Sequence, residues 1–308
     1  MVNIKKLFKS YKQHWQLFVF LIIPVAYILI FAYWPMFGLQ IAFKKFSIVK
    51  GIAGSPWVGF KNFLKFFNAY QFEAVITNTL TLSLYALLAA FPFPILFALV
   101  LNVVENAKYK KIVQTITYMP HFISIVVLVG MLMQIFHPMI GLYGKFYKAV
   151  TGQIPSDLFA NPSAFKHLYV WSGVWQGFGY NSIIYIAALT NVSGELHEAA
   201  DVDGASRFQR VIHIDFPALV PTIVIMLILR MGSIMSIGFE KTYLMQNSLN
   251  LSSSEIISTF VYKKGLGAGV GNDYSYSTAI GMFNSIVNLI LITTVNMISR
   301  RVTETSLW

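Results

Sequence analysis

Arg230 stands about midway along an apolar run, Phe216–Phe239. A guanidinium stays charged and is costly in hydrocarbon, so an arginine in such a run faces a cavity or a partner. Two roles are open to it: contact with a solute, or a structural ion pair between subunits. Glu240 at the outer end of the same run is a candidate neighbour. Catalytic chemistry has much weaker footing. His14, His121, His137, His167, His197 and His213 form no HExxH or similar ligand spacing, and no nucleophile motif occurs. There is no cysteine, which removes disulfides, thiolate metal sites and Cys nucleophiles together. The glycine-rich run from Gly265 to Gly271 lacks the Gly-Lys-Ser/Thr ending of a phosphate loop and opens no βα unit, so it reads as a flexible turn. No metal and no cofactor is expected on this chain.

A second group of polar residues lies between two apolar runs, from Ser193 to Pro217. Ser193 suits an N-cap, and Glu195 puts negative charge in the first turn, where the helix dipole favours it. Leu196, Ala199, Ala200 and Asp203 follow a three-to-four spacing, giving a small apolar face beside an acidic one. Gly204 suits the left-handed position just past a helix end, and Pro217 the first turn of the next helix. The pattern predicts a short surface helix, a glycine turn, and a second short helix or arm. His197 beside Glu198 belongs to this surface rather than to a metal site.

The elements that carry these residues follow from composition. Of 308 residues, 56% are hydrophobic and 11% charged, against roughly 25% charged in a typical soluble domain. Six stretches approach the roughly 20 residues needed to cross a bilayer: Trp15–Phe43, Ala74–Val104, Ile112–Phe136, His167–Val192, Phe216–Phe239 and Thr278–Ser299. The expectation is an all-α membrane protein of six transmembrane helices in a single domain, with residues 193–215 as a cytoplasmic loop. Pro24, Pro35, Pro92, Pro94, Pro120 and Pro221 interrupt these spans, and Gly173 and Gly177 form a small-xxx-small pair for close helix approach. The net charge of +11 comes from Lys and Arg flanking the spans, as at lipid headgroups, and not from a stripe that would bind nucleic acid. Basic residues are equally numerous on the two sides. The inner segments are shorter, however, and Lys5, Lys6, Lys9 and Lys12 carry no nearby acid, so both termini are placed in the cytoplasm.

Glu198-Ala199-Ala200, then Gly204, then Ile214-x-Phe216-Pro217 resembles the EAA loop of binding-protein-dependent ABC importer permeases. The one departure is Phe216, where leucine is usual. The resemblance covers nearly the whole chain. Gly38–Phe43, Gly54–Phe63, Gly238–Glu240, Ile257–Tyr262 and Asp273–Gly281 are similar to carbohydrate-importer permeases, in the branch for oligosaccharides and polysaccharide fragments.

Membership of that family implies the type I importer permease fold in a bacterial cytoplasmic membrane. It implies ATP and Mg on two separate ATP-binding subunits, an extracellular solute-binding protein, and a second permease, expected as a heterodimer. Glu198, Ala199, Ala200, Asp203, Gly204, Ala205 and Arg207 would then form the coupling helix that docks on the ATPase.

A sugar path needs hydrogen-bonding groups among aromatic platforms. Asn78, Tyr85, Tyr180, Asn181, Asn284 and Asn288 are candidates, each with the alternative reading of an inter-helix hydrogen bond. Ser252-x-x-Glu255 reads as a capping box for a short outer helix that Gly265 stops. An ion-coupled carrier or channel working without an ATPase is the competing reading. It would show internal repeats and buried acids, and neither is found. An intramembrane enzyme would need paired catalytic groups in its spans, which are also missing.

Overall fold

The computed structural model describes residues 15–267, 272–302 and 306–308. Lys5 to Lys12, His14 and most of the Gly265–Gly271 run lie outside them. The helices in chain order are α1 (Trp15–Phe43), α2 (Lys61–Phe67), α3 (Phe72–Val103), α4 (Ala107–Phe122), α5 (Ile125–Ile135), α6 (Leu142–Thr151), α7 (Pro162–Asn181), α8 (Ile183–Leu189), α9 (Gly194–Val202), α10 (Arg207–Met231), α11 (Phe239–Met245), α12 (Ile257–Gly265) and α13 (Tyr274–Val302). Contacts divide the chain into two compact units, Met1–Phe67 with Lys264–Met282, and Asn68–Lys263 with Phe283–Trp308.

Among the described residues, four helices are long and apolar enough to cross a membrane: α1, α3, α10 and α13. A fifth span is available if α4 and α5, bent by 96° at a short break, count as one. The expected third span, Ile112–Phe136, is that broken pair. Its hinge follows Pro120. Ser124 caps the start of α5, its side chain accepting from the Val127 N–H, while Gln176 of α7 donates to the Ile123 carbonyl at 2.9 Å. The stretch expected as a fourth span, His167–Val192, is helical but falls outside the apolar set. Its helices α7 and α8 are interrupted at Ser182, and Gly173, Gln176, Gly177, Gly179 and Asn181 dilute its hydropathy. The expected fifth span starts earlier and ends earlier than Phe216–Phe239, because α10 runs from Arg207 to Met231 and residues 232–238 leave the helix.

Prolines shape two of the spans in the same way. A π-helical turn occupies Leu29–Tyr33 in α1 and Val211–Asp215 in α10. Each contains the residue four before a proline, Phe31 before Pro35 and His213 before Pro217. A proline ring collides with that carbonyl in a regular α-helix, and the wider turn removes the collision. Pro217 therefore lies inside a continuous helix, not in the first turn of a new one.

In the first unit, α1 buries no residue before Ala42. Its polar end is fixed by Asn62 of α2, whose amide donates to the carbonyls of Ala42 and Lys44. Ala42, Phe63 and Ala279 form the small core there. In the second unit, Leu82 of α3, Val129 of α5, Phe165, Tyr169 and Val174 of α7, and Met245 of α11 share one core. Ile95 and Leu99 of α3, Tyr185 and Leu189 of α8, and Leu219 of α10 form another.

Two local expectations are corrected. Ser252 and Glu255 make no capping box: Ser252 sits within a single turn, Leu251–Ser254, and Glu255 pairs instead with Lys263 at 2.8 Å. Gly265 does end α12 as expected. Gly173 and Gly177 do not seat a helix backbone. Gly173 leaves room for the Lys241 ammonium and Gly177 for the Asn181 amide. The close approach is at Gly179, where an added Cβ would collide with the Thr117 carbonyl of α4. Gly179→Ala is expected to destabilise the detergent-solubilised protein by about 1–3 kcal/mol through overpacking, read as a lower thermal midpoint. Gly130→Ala, where the space is open, is expected to change it little.

Candidate functional site

The loop between α8 and α10 is built as its sequence predicts. Ser193 caps α9, its hydroxyl accepting from the Glu195 N–H. At the far end the Ala205 N–H donates to the Ala200 carbonyl and the Gly204 N–H to that of Asp201, the paired bonds of a Schellman ending. Gly204 takes φ +74°, the left-handed region that favours glycine, and faces open space within this chain. The sequence reading missed the next step: Ser206 and Gln209 form a capping box that starts α10 at once. The signal, Ser-x-x-Gln before an apolar run, is present in the sequence.

Glu198, Ala199, Asp203, Gly204 and Arg207 are exposed, with Ala200 and Ala205 half-buried. Beside them Leu196, Val202 and Phe208 project into solvent; Val202 is 89% exposed. A short helix that leaves such apolar groups bare presents a surface for a partner.

The same loop is tied to the helix ends above it. Arg210 pairs with Asp201 at 2.7 Å, clamping α10 to α9. Arg207 pairs with Glu105, just beyond α3, at 2.6 Å. Asp215 of α10 is buried, and its Oδ1 lies 3.3 Å from His197 Nε2 of α9 and 3.2 Å from Asn102 Nδ2 of α3. The exposed pairs contribute little stability. The buried carboxylate, which joins three elements, fixes their relative position.

At the other end of α10, a cavity of about 300 Å³ opens between α3, α7, α8 and α10 and the unwound residues after Met231. Because α10 ends at Met231, Arg230 lies in its last turn, where the helix dipole favours a cation, and not midway along a span. Its side chain reaches the cavity together with Asn181, Tyr169, Tyr185, Ser233 and Ser236. Among the described residues no carboxylate lies within ion-pairing distance of Arg230. Glu240 is exposed in the first turn of α11 and does not line the cavity. The unwound stretch is held by Asn288 of α13, which accepts from the Met235 N–H and donates to Ser236 Oγ, both near 3.0 Å. A second cation stands behind the wall: the Lys241 ammonium donates to the Tyr169 carbonyl at 2.8 Å and lies over the Tyr169 ring.

Residues 90–304 match the family model described as binding-protein-dependent transport system inner membrane component. The chain belongs to that family. It is therefore a permease of the inner membrane, a transport subunit whose ATPase is a separate chain. Protein LplB of Bacillus subtilis (strain 168) is 42% identical over 292 residues, 95% of this permease and 91% of LplB. The polygalacturonan/rhamnogalacturonan transport system permease protein YteP of the same organism is 38% identical over 304 residues, 99% and 94% of the two chains. A crystal structure of a bacterial alginate ABC transporter, in complex with alginate pentasaccharide-bound periplasmic protein, contains a chain of 38% identity and TM-score 0.88. The match covers 98% of this permease and 100% of that chain.

Of the expected path residues, the permease brings Asn181 and Arg230 to the cavity and places Asn284 beside it, donating to Ser236 at 3.4 Å. Asn78 is elsewhere, buried and donating to the carbonyls of Ser252 and Glu255. Tyr180 stacks on His121 with ring centroids 3.8 Å apart. Tyr85 bonds His167 and Trp171. A double-mutant cycle of His197→Ala and Asp215→Ala is expected to give a coupling energy of about 1.5–3 kcal/mol, as for a charge-assisted hydrogen bond. Thermal unfolding of the solubilised permease measures it, and strict additivity would remove Asp215 as a link between α9 and α10.

Proposed function

We propose that this permease forms one half of the membrane channel of an ATP-driven importer, and that its cargo is an oligosaccharide received from an extracellular binding protein. The observation that carries the reading is the α9 loop. It is a capped, glycine-reversed helix with bare Leu196, Val202 and Phe208, tied through Arg210 and Asp215 to helix ends above. Such a surface takes up force from a docked ATPase and passes it into the membrane. YteP and the alginate transporter, named for polygalacturonan and alginate, support a glycan as cargo, and so does a cavity that mixes hydroxyl, amide and aromatic groups.

In the full assembly the permease has six spans with both termini cytoplasmic. The sixth is contributed by α7 and α8, whose polar residues pack against neighbouring helices. It pairs with a second, related permease, and each engages one ATP-binding subunit carrying ATP and Mg. A loaded binding protein docks outside, ATP closes the ATPase pair, and the α9 loops move with it. The cavity then opens alternately outward and inward.

Purification from native membranes in mild detergent is expected to bring down an ATPase and a second permease, with hydrolysis stimulated by a sugar-loaded binding protein. Recovery of the chain alone would overturn the assignment. Gly204→Asp is expected to leave the permease inserted and assembled, since the left-handed strain costs only about 1–2 kcal/mol, while uptake is lost. Full uptake by that variant would remove Gly204 from the coupling surface.

A further inference from the structure

We infer that the cavity beside Arg230 is a binding station for an anionic sugar, and that Arg230 holds the anion. The inference rests on the reading of this chain as an oligosaccharide permease and names the chemical class of its cargo. A path for neutral sugars needs hydroxyl and amide partners and aromatic faces, and Asn181, Ser233, Ser236 and Tyr185 supply them without any charge. Arg230 goes beyond that need. It lines a cavity with no carboxylate on its wall, and no ion pair joins it to any of the described residues.

Arg230 is exposed within this chain, so its guanidinium is open to an incoming anion, and an arginine kept among apolar helices, at a cost, serves a cavity ligand or a partner. The helix C-terminus at Met231 eases that cost but does not supply an anion. Lys241 strengthens the argument from a separate element. Its ammonium is buried against the Tyr169 carbonyl and ring, and Tyr169 lines the same cavity. Burial pulls the Lys241 ammonium down to about 8. Two basic side chains thus stand at or behind the cavity wall, and Glu240, exposed in the first turn of α11, is not among the residues that line it.

The planar fork of Arg230 suits a carboxylate bidentately, and a sulfate ester offers equivalent oxygens. The volume of about 300 Å³ is at the lower end for small-molecule sites. Arg230 therefore takes one anionic group at a time from a chain passing through, and does not enclose the whole cargo.

The test uses the complete transporter with its ATPase, partner permease and binding protein in proteoliposomes. Uptake is measured for an oligogalacturonate, for its carboxyl-reduced neutral counterpart, and for a sulfated oligosaccharide of similar length. Arg230→Gln is expected to lower the ratio of anionic to neutral uptake roughly tenfold, the scale of a lost charge-assisted hydrogen bond. Arg230→Lys should restore part of that ratio. Which anionic probe loses uptake identifies the charge as carboxylate or sulfate. An unchanged ratio in Arg230→Gln overturns the inference, as does loss of the partner permease from both variants, which would make Arg230 an inter-subunit pair. Wild-type uptake of the neutral probe alone overturns the anionic assignment and leaves the importer reading intact. Failure to carry any glycan removes that reading and the inference with it.

Discussion

Inside a bilayer no water reaches a freed backbone group, so each interruption of a helix must be satisfied by the protein itself. This permease has several interruptions, and the structure can be read from how each is met. The break after α4 exposes the Ile123 carbonyl, and Gln176 reaches across from α7 to donate to it. The unwound stretch after Met231 frees the Met235 N–H, and Asn288 accepts it from α13. Ahead of Pro35 and Pro217 a π turn accommodates the ring without breaking the span. The amides that looked from the sequence like sugar contacts are in good part these internal satisfiers. Asn78 and Asn288 serve the backbone, and only Asn181 turns to the cavity.

The loop at α9 follows from a different constraint. It must be rigid in itself, yet its rigidity cannot come from a core, because it has none. Capping supplies it instead: Ser193 at one end, the Schellman bonds at Gly204, and the Ser206–Gln209 box directly after. Satisfying its own termini leaves the apolar side chains free for a partner. The buried Asp215, shared between His197 and Asn102, then links this self-contained piece to two long helices.

Local signals were legible in the sequence wherever one residue decides the geometry. The left-handed glycine at 204, the cap at Ser193, the stop at Gly265, and the extents of α1 and α3 all depend on local chemistry. Pairings between distant segments were not legible. Nothing in the sequence marks Gly179, rather than Gly173 or Gly177, as the glycine against Thr117, because the difference lies in which face of α7 meets α4. The end of α10 at Met231 was hidden because Ile234, Met235 and Ile237 keep the stretch apolar. The small and polar residues from Gly232 to Gly238 were the available sign of unwinding. The Ser252-x-x-Glu255 spacing misled for a related reason: Glu255 found a stronger partner in Lys263 than the backbone of its own turn.

The continuity of α10 has a mechanical meaning. The helix that begins against α9 at Arg207 ends with Arg230 at the cavity wall, and its π turn does not break it. At 1.5 Å per residue the two arginines are separated by about 35 Å along a single rod. A tilt of roughly 5° about one end carries the other through about 3 Å over that length, the reach of one hydrogen bond. The helix is thus a beam with a guanidinium at each end, and a small rotation at the α9 end is enough to make or release a contact at the other.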